Sequence, residues 1–271
     1  MNTNINLTDR LSTEDKYRIK HPSALKTKIV AWCTDTGEVL FTRHNMVTIA
    51  GAAFLARSLF DLPNFTEITP SYNTALNLDN TTITTSITAP NKVYLFCVGY
   101  SGCGRENSQV YAEKYASWIP PENGLIPFQY VSIDADLNSY ERTIYFGKKT
   151  LSDKIAYYFK KFDSDPVAIQ QLTDGTPIDS TIYDMQTSLD AQTIVTMQMS
   201  ITKSDCRDYF INTTGINDCR VNSISLCTAW AEEIDGQTYY QDIRPATILN
   251  FPNEPLIDTE KSITISYSIY F

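Results

Sequence analysis

From Ile263 to Phe271, the apolar residues Ile263, Ile265, Tyr267, Ile269 and Phe271 alternate with Ser262, Thr264, Ser266, Ser268 and Tyr270. Successive side chains of an extended backbone point to opposite faces, so this run predicts a half-buried β-strand. Left uncovered, it would be a sticky edge, so it is expected to dock into a sheet, either its own or a neighbour's. Thr193 to Thr202 repeats the pattern, with Val195, Met197, Met199 and Ile201 on one side and Thr196, Gln198 and Ser200 on the other. Lys26 to Cys33 and Glu38 to Arg43 predict a hairpin around Asp35-Thr36-Gly37, and Arg220 to Glu232 and Gln237 to Ile243 a second around Asp235-Gly236. Lys92 to Gly99, Phe128 to Ile133, Tyr140 to Phe146 and Lys154 to Phe162 read as further strands, with Ile155, Tyr157 and Phe159 on one face of the last. Ile248 to Pro255 leads into the terminal strand as an extended segment broken by two prolines.

One stretch departs from this period. Thr48 can cap a helix running through Ala52, Phe54, Leu55, Ala56, Leu59 and Phe60 until Pro63 stops it, which predicts one substantial α-helix at about 48–61. Residues 1–22 carry little to bury and predict an extended N-terminal arm, with His21-Pro22 breaking any helix begun near Thr13. Residues 23–271 then form a single β-rich domain with polar loop insertions near 61–91 and 163–190. Asp205 to Asp218 reads as a shorter loop. Many short strands, long loops and one helix predict a mainly β fold, an antiparallel β-sandwich with long loop insertions.

Composition narrows the function. The 271 residues carry a formal charge of −9, the wrong sign for tracking a phosphate backbone, so direct nucleic-acid binding is not expected. The most apolar helical stretch, Val47 to Leu62, is too short for a bilayer and is interrupted by Arg57 and Asp61, so no membrane partner is expected. Met1 to Lys20 lacks the apolar centre of a secretory signal, which sets the expectation of folding in a cytoplasm. In that compartment, Cys33, Cys97 and Cys227, each inside an apolar run, read as buried free thiols, while Cys103 and Cys206 fall in expected loops.

Candidate chemistry is sparse. His21 and His44 are the only two histidines, and no G-x-S-x-G, H-E-x-x-H or C-x-x-C spacing accompanies them. The cluster Gly99, Gly102 and Gly104 lacks a following lysine and helix, and reads as a turn whose glycines permit positive φ, not a phosphate cradle. Glu232-Glu233 and Asp134/Asp136 read as solvated faces. Trp118, Tyr239 and Tyr240 could stack on sugars, which makes a carbohydrate-binding or glycan-degrading sandwich one alternative. No catalytic residue, cofactor or metal ligand is assigned.

Three stretches suggest a family when taken in order. They are His44-Asn45-Met46-Val47 with Gly51, Phe54-Leu55-Ala56 and Leu59-Phe60; the strand and turn from Phe96 to Gly104; and Leu249-Asn250-Phe251-Pro252-Asn253-Glu254 before the terminal strand. Together they resemble uncharacterised virion structural proteins of large tailed bacteriophages. That resemblance implies a non-enzymatic component of the neck, tail or baseplate, with a capsid decoration or fibre-base protein as the alternative. Its implied partners are copies of itself and other virion proteins. The expected contact regions are 1–25, 61–91 and 163–190, and the interface candidates are Ile5, Leu7, Tyr17, Trp118, Tyr267, Ile269 and Phe271.

Overall fold

Strand periodicity and turn chemistry build two antiparallel sheets. The computed structural model describes residues 26–43, 46–47, 72–79, 91–104, 124–172, 176, 191–213, 215, 220–255 and 262–270. Within these lie β1 (Lys26–Cys33), β2 (Val39–Arg43), β3 (Met46–Val47), α1 (Tyr72–Leu76), β4 (Lys92–Gly99), β5 (Leu125–Ile126), β6 (Gln129–Ser132) and a 3-10 turn at Glu141–Thr143. Then come β7 (Tyr145–Thr150), β8 (Lys154–Lys161), β9 (Val167–Leu172), β10 (Ala191–Ile201), α2 (Arg207–Thr213), β11 (Arg220–Ile234), β12 (Gln237–Pro255) and β13 (Ile263–Tyr270). The first sheet runs β2-β1-β13-β10-β9; the second runs β3-β12-β11-β4-β8-β6, with β5 beside β4 and β7 beside β8.

The alternating terminal run docks into the chain's own sheet. β13 lies between β1 and β10, with Ile265 opposite both Ala31 and Met199. Its apolar positions Ile263, Ile265, Tyr267 and Ile269 join Ile29, Met197 and Met199 in facing the second sheet's Phe96, Ile224, Leu226 and Phe251. Phe41 stacks on Phe251 at 4.4 Å, and the Tyr267 hydroxyl donates to Thr247 Oγ1 at 2.8 Å, so both contacts cross between the sheets. Each large apolar side chain taken out of water here contributes about 1.5–3 kcal/mol.

The second sheet is covered on its other face as well. There Leu95, Cys97, Phe159, Cys227, Ile243 and Ile248 pack under α1 and its neighbour Leu78. Asn73 fixes the helix: its Oδ1 accepts the Ile243 N–H at 2.7 Å and its Nδ2 donates to the Tyr240 carbonyl at 3.2 Å. Burial on two faces explains why β11 is buried without a break from Val221 to Ala229.

Several expectations are corrected. The 163–190 insertion contains β9, and the 61–91 insertion contains α1. The expected loop at 205–218 contains α2, and Tyr140 to Phe146 divides into the 3-10 turn and the start of β7. Phe159 belongs to the core under α1, while Ile155 and Tyr157 belong to the core between the sheets. β12 runs unbroken through Pro245, Pro252 and Pro255 because its register with β11 shifts between Val221 and Ser223 and between Leu226 and Cys227. A proline lacks the N–H that a regular ladder uses, and a bulge tolerates it. The expected helix at 48–61 and the arm at 1–22 lie outside the described residues.

Candidate functional site

Two networks of ionisable side chains and one open cleft stand out among the described residues. In the first network, Lys160 on β8 and Asp205 before α2 form an ion pair at 2.8 Å, with side chains 5% and 0% exposed. Asp205 also accepts from the Thr202 N–H at 2.8 Å, the Tyr145 hydroxyl at 2.8 Å and Gln129 Nε2 at 3.3 Å. Lys160 Nζ also donates to the Ser200 carbonyl at 2.9 Å and lies 5.5 Å from the Tyr145 ring and 5.9 Å from the Phe128 ring. Burial, reinforced by the Asp205 carboxylate, pushes the Tyr145 hydroxyl far above its ordinary pKa, so it stays a donor. Each member is held by several partners, as a buried polar network requires.

The second network surrounds Asp136. Its carboxylate accepts from Lys148 Nζ at 2.8 Å, the Tyr157 hydroxyl at 2.6 Å, the Leu137 N–H at 2.7 Å and Arg142 Nη2 at 3.2 Å. Burial works to raise the Asp136 pKa, but the hydrogen bonds from Lys148, Tyr157 and Leu137 outweigh it and hold the carboxyl below its ordinary range. This network ties the loop after β6 to β7 and β8.

Beside it opens a cleft between the 139–143 turn and the start of β12. One end holds about 110 Å³ and is lined by Lys148, Tyr157, Asn73 and Gln241; the second end holds about 330 Å³ and is lined by Ser139, Thr143 and Lys161. Arg142, Phe146, Gln237, Thr238 and Tyr240 line both. Among the described residues, the charged side chains lining this second end are Arg142, already paired with Asp136, and Lys161.

The glycine turn after β4 is a structural anchor. The Gly102 N–H donates to Asn222 Oδ1 at 2.6 Å, while Asn222 Nδ2 donates to the Tyr100 carbonyl at 2.9 Å. Gly102 is needed here for close approach and not, as the sequence suggests, for positive φ. A Cβ would press on the Asn222 carbonyl oxygen and sit 2.7 Å from Asn250 Oδ1. Cys97 and Cys227 face each other with sulfurs 3.7 Å apart, and burial pushes the Cys227 thiol well above its ordinary pKa. Cys33, Cys103 and Cys206 are also buried, and none of the three is in a disulfide.

Of the interface candidates, Tyr267 and Ile269 are buried, 1% and 8% exposed, against the chain's own second sheet and are not offered to a neighbour. Ile5, Leu7, Tyr17, Trp118 and Phe271 lie outside the described residues, as do His21 and His44. Tyr240 is unavailable for stacking on a sugar: it packs edge-on to Phe146 at 4.7 Å and tilts against Tyr94 at 5.3 Å. Burial pushes its pKa up to about 12. The exposed apolar side chains are elsewhere. Val167 and Ile169 on β9 are 61% and 49% exposed, and Ile234 at the end of β11 is 39% exposed. Among the described residues, no group of three or more His, Cys, Asp or Glu is placed to hold a metal, and no helix is long and apolar enough to cross a membrane.

These features define a class, a mainly β protein whose two antiparallel sheets pack face to face as a sandwich. No protein-family model, curated protein or solved structure matches the chain.

Proposed function

We propose that this chain is a structural component of a tailed-phage virion, in the neck or tail region, that works by assembling with copies of itself and with other virion proteins. The assembly reading is carried by β9. Among the described residues, this strand ends the first sheet and pairs with β10 alone. Its sequence, VAIQQL, has no charge, and Val167, Ala168 and Ile169 are all exposed. An uncharged apolar strand at a sheet edge is a template for another chain, and proteins that remain single place charges, prolines or bulges there. The particle class is supported by the resemblance of the three ordered stretches ending at Phe60, Gly104 and Glu254. Purified particles analysed by mass spectrometry are expected to contain the chain in several copies, and its absence from them would end this reading. Substitution of Ile169→Lys is expected to lower incorporation without unfolding the protein.

A second reading, a carbohydrate-binding sandwich, is favoured by one hollow of about 320 Å³ lined by Tyr100, Tyr158, Tyr209 and Lys149. Tyrosine rings at its wall offer faces for sugar C–H groups. Glycan-array binding that is lost in Tyr209→Ala would favour this reading over assembly.

A further inference from the structure

Cys97 on β4 and Cys227 on β11 meet inside the second sheet. In the register of these strands, Cys97 stands opposite Ser225 and Cys227 opposite Leu95, so the two cysteines are diagonal neighbours. Both belong to the core on the face that α1 covers, and both are fully buried. Diagonal neighbours of a regular antiparallel pair stand about 7–8 Å apart. Here the pairing shifts register between Cys227 and Thr228, and the two sulfurs touch at 3.7 Å. The Tyr72 hydroxyl of α1 lies over them, 3.9 Å from Cys97 Sγ. Two nucleophilic groups therefore share one site, and each is the other's neighbour across a strand boundary.

We propose that Cys97 and Cys227 are a latent cross-link, a thiol pair that closes to a disulfide when the protein meets hydrogen peroxide. One sulfur, as thiolate, attacks the peroxide O–O bond, which breaks to leave a sulfenic acid and a hydroxide that takes up the thiol proton as water. The second thiol attacks the sulfenic sulfur, the S–S bond forms, and the sulfenic oxygen leaves with the second proton as another water. Two thiols give up two electrons, and one peroxide accepts them. Sulfurs in contact have less than about 2 Å to travel to the bonded separation. The sulfenic acid meets its partner thiol before further oxidant, so oxidation stops at the disulfide. Burial makes the first step slow, and local opening of the five-residue α1 admits an oxidant hardly larger than water. The bond joins β4 to β11 and closes a loop of 130 positions, which restricts the unfolded chain most. It concerns the folded chain itself and stands apart from the assembly reading.

Peptide mapping without reduction tests it. The full chain is reduced, freed of reductant, held overnight with hydrogen peroxide, and denatured at low pH with a maleimide that blocks the remaining thiols. Mass spectrometry is expected to find the Cys97 and Cys227 peptides joined, lighter by two hydrogens than the separate pair, and parted again by reductant. The melting temperature is expected to rise by about 5–10 °C on oxidation and to fall back on reduction. Cys97→Ala and Cys227→Ala are each expected to abolish that rise; the mapping on wild type stands even where a variant fails to fold. Recovery of both cysteines as maleimide adducts overturns the proposal. So do sulfinic or sulfonic acids at these positions, or links from either cysteine to a different one. A joined pair with no rise in melting temperature overturns it too, since the bond would then have formed outside the native sheet.

Discussion

Replacing Asp205 by Asn keeps the side chain's shape and removes its charge, which strands the Lys160 ammonium in the core. The carboxylate is fully buried and Lys160 is 5% exposed, so water cannot take its place. In Asp205→Asn, the ammonium retains the Ser200 carbonyl at 2.9 Å and the two nearby rings. Breaking a buried pair from one side costs about 3–5 kcal/mol, and ring contacts of this kind offset about 0.5–2 kcal/mol of such a loss. A net loss of about 3 kcal/mol is therefore expected. In a chain of this size, it lowers the melting temperature by about 5 °C. Urea denaturation followed by tryptophan fluorescence measures it, since Trp32 and Trp230 both lie in strands. The double variant Lys160→Met with Asp205→Asn removes both charges, and Met fills the space of the lysine stem. It is expected to recover most of the loss, because a buried pair replaced as a unit is often nearly neutral. If Asp205→Asn falls within about 1 kcal/mol of wild type, or the double variant is no more stable than the single, the account of this network is wrong.

Gly102→Ala is expected to cost about 1–3 kcal/mol in the same assay, because its Cβ meets the Asn222 backbone and the Asn250 side chain; a neutral result would refute that close approach. Asp136 has a folded pKa below its unfolded value, so its stabilisation is complete above about pH 4 and is lost as pH falls through the lower folded value. Asp136→Asn should accordingly flatten the acid side of a melting-temperature profile, and an unchanged slope would count against the network. Tyr158 and Tyr240, both pushed up to about 12 by burial, predict stability falling as pH rises from about 10 to about 12, with late ionisation visible by ultraviolet difference absorbance. In a background lacking Cys33 and Cys219, the buried thiols of Cys97, Cys103, Cys206 and Cys227 should resist an aromatic disulfide reagent until denaturant is added, and rapid native labelling would contradict their burial.

The strands that could be read from the sequence were those whose side chains divide cleanly between two environments. β1 and β4 have the expected bounds, and β13 shows its alternation because one of its faces meets the other sheet. β9 carried no such signal. Both faces of its first half are exposed, so backbone pairing with β10 holds it without any apolar period. α1 and α2 are too short to display a helical repeat, and each is fixed by a few buried residues such as Tyr72 and Phe210. Prolines in β12 read as breaks because the register shifts that accommodate them depend on a partner strand. The polar sites were harder still. Lys160 and Asp205 are 45 positions apart, and Gly102 and Asn222 are 120 apart, so neither pairing has a local signature. Tyr239 and Tyr240 read from the sequence as rings that could stack on sugars, but the packing of Tyr240 against Phe146 and Tyr94 was not legible.

The placement of β13 also constrains synthesis. Thr34 and Thr264 share a hydrogen bond across 230 positions, and β1, paired with β2 on one side, finds its partner on the other side in the last strand described. During translation the β1–β2 hairpin must wait, with one flank bare, until β13 has left the ribosome. Loop closure over such a span makes folding slow, and the waiting hairpin is a natural client for a chaperone. A chain cut short before Ile263 would leave β1 and β10 without the strand that joins them.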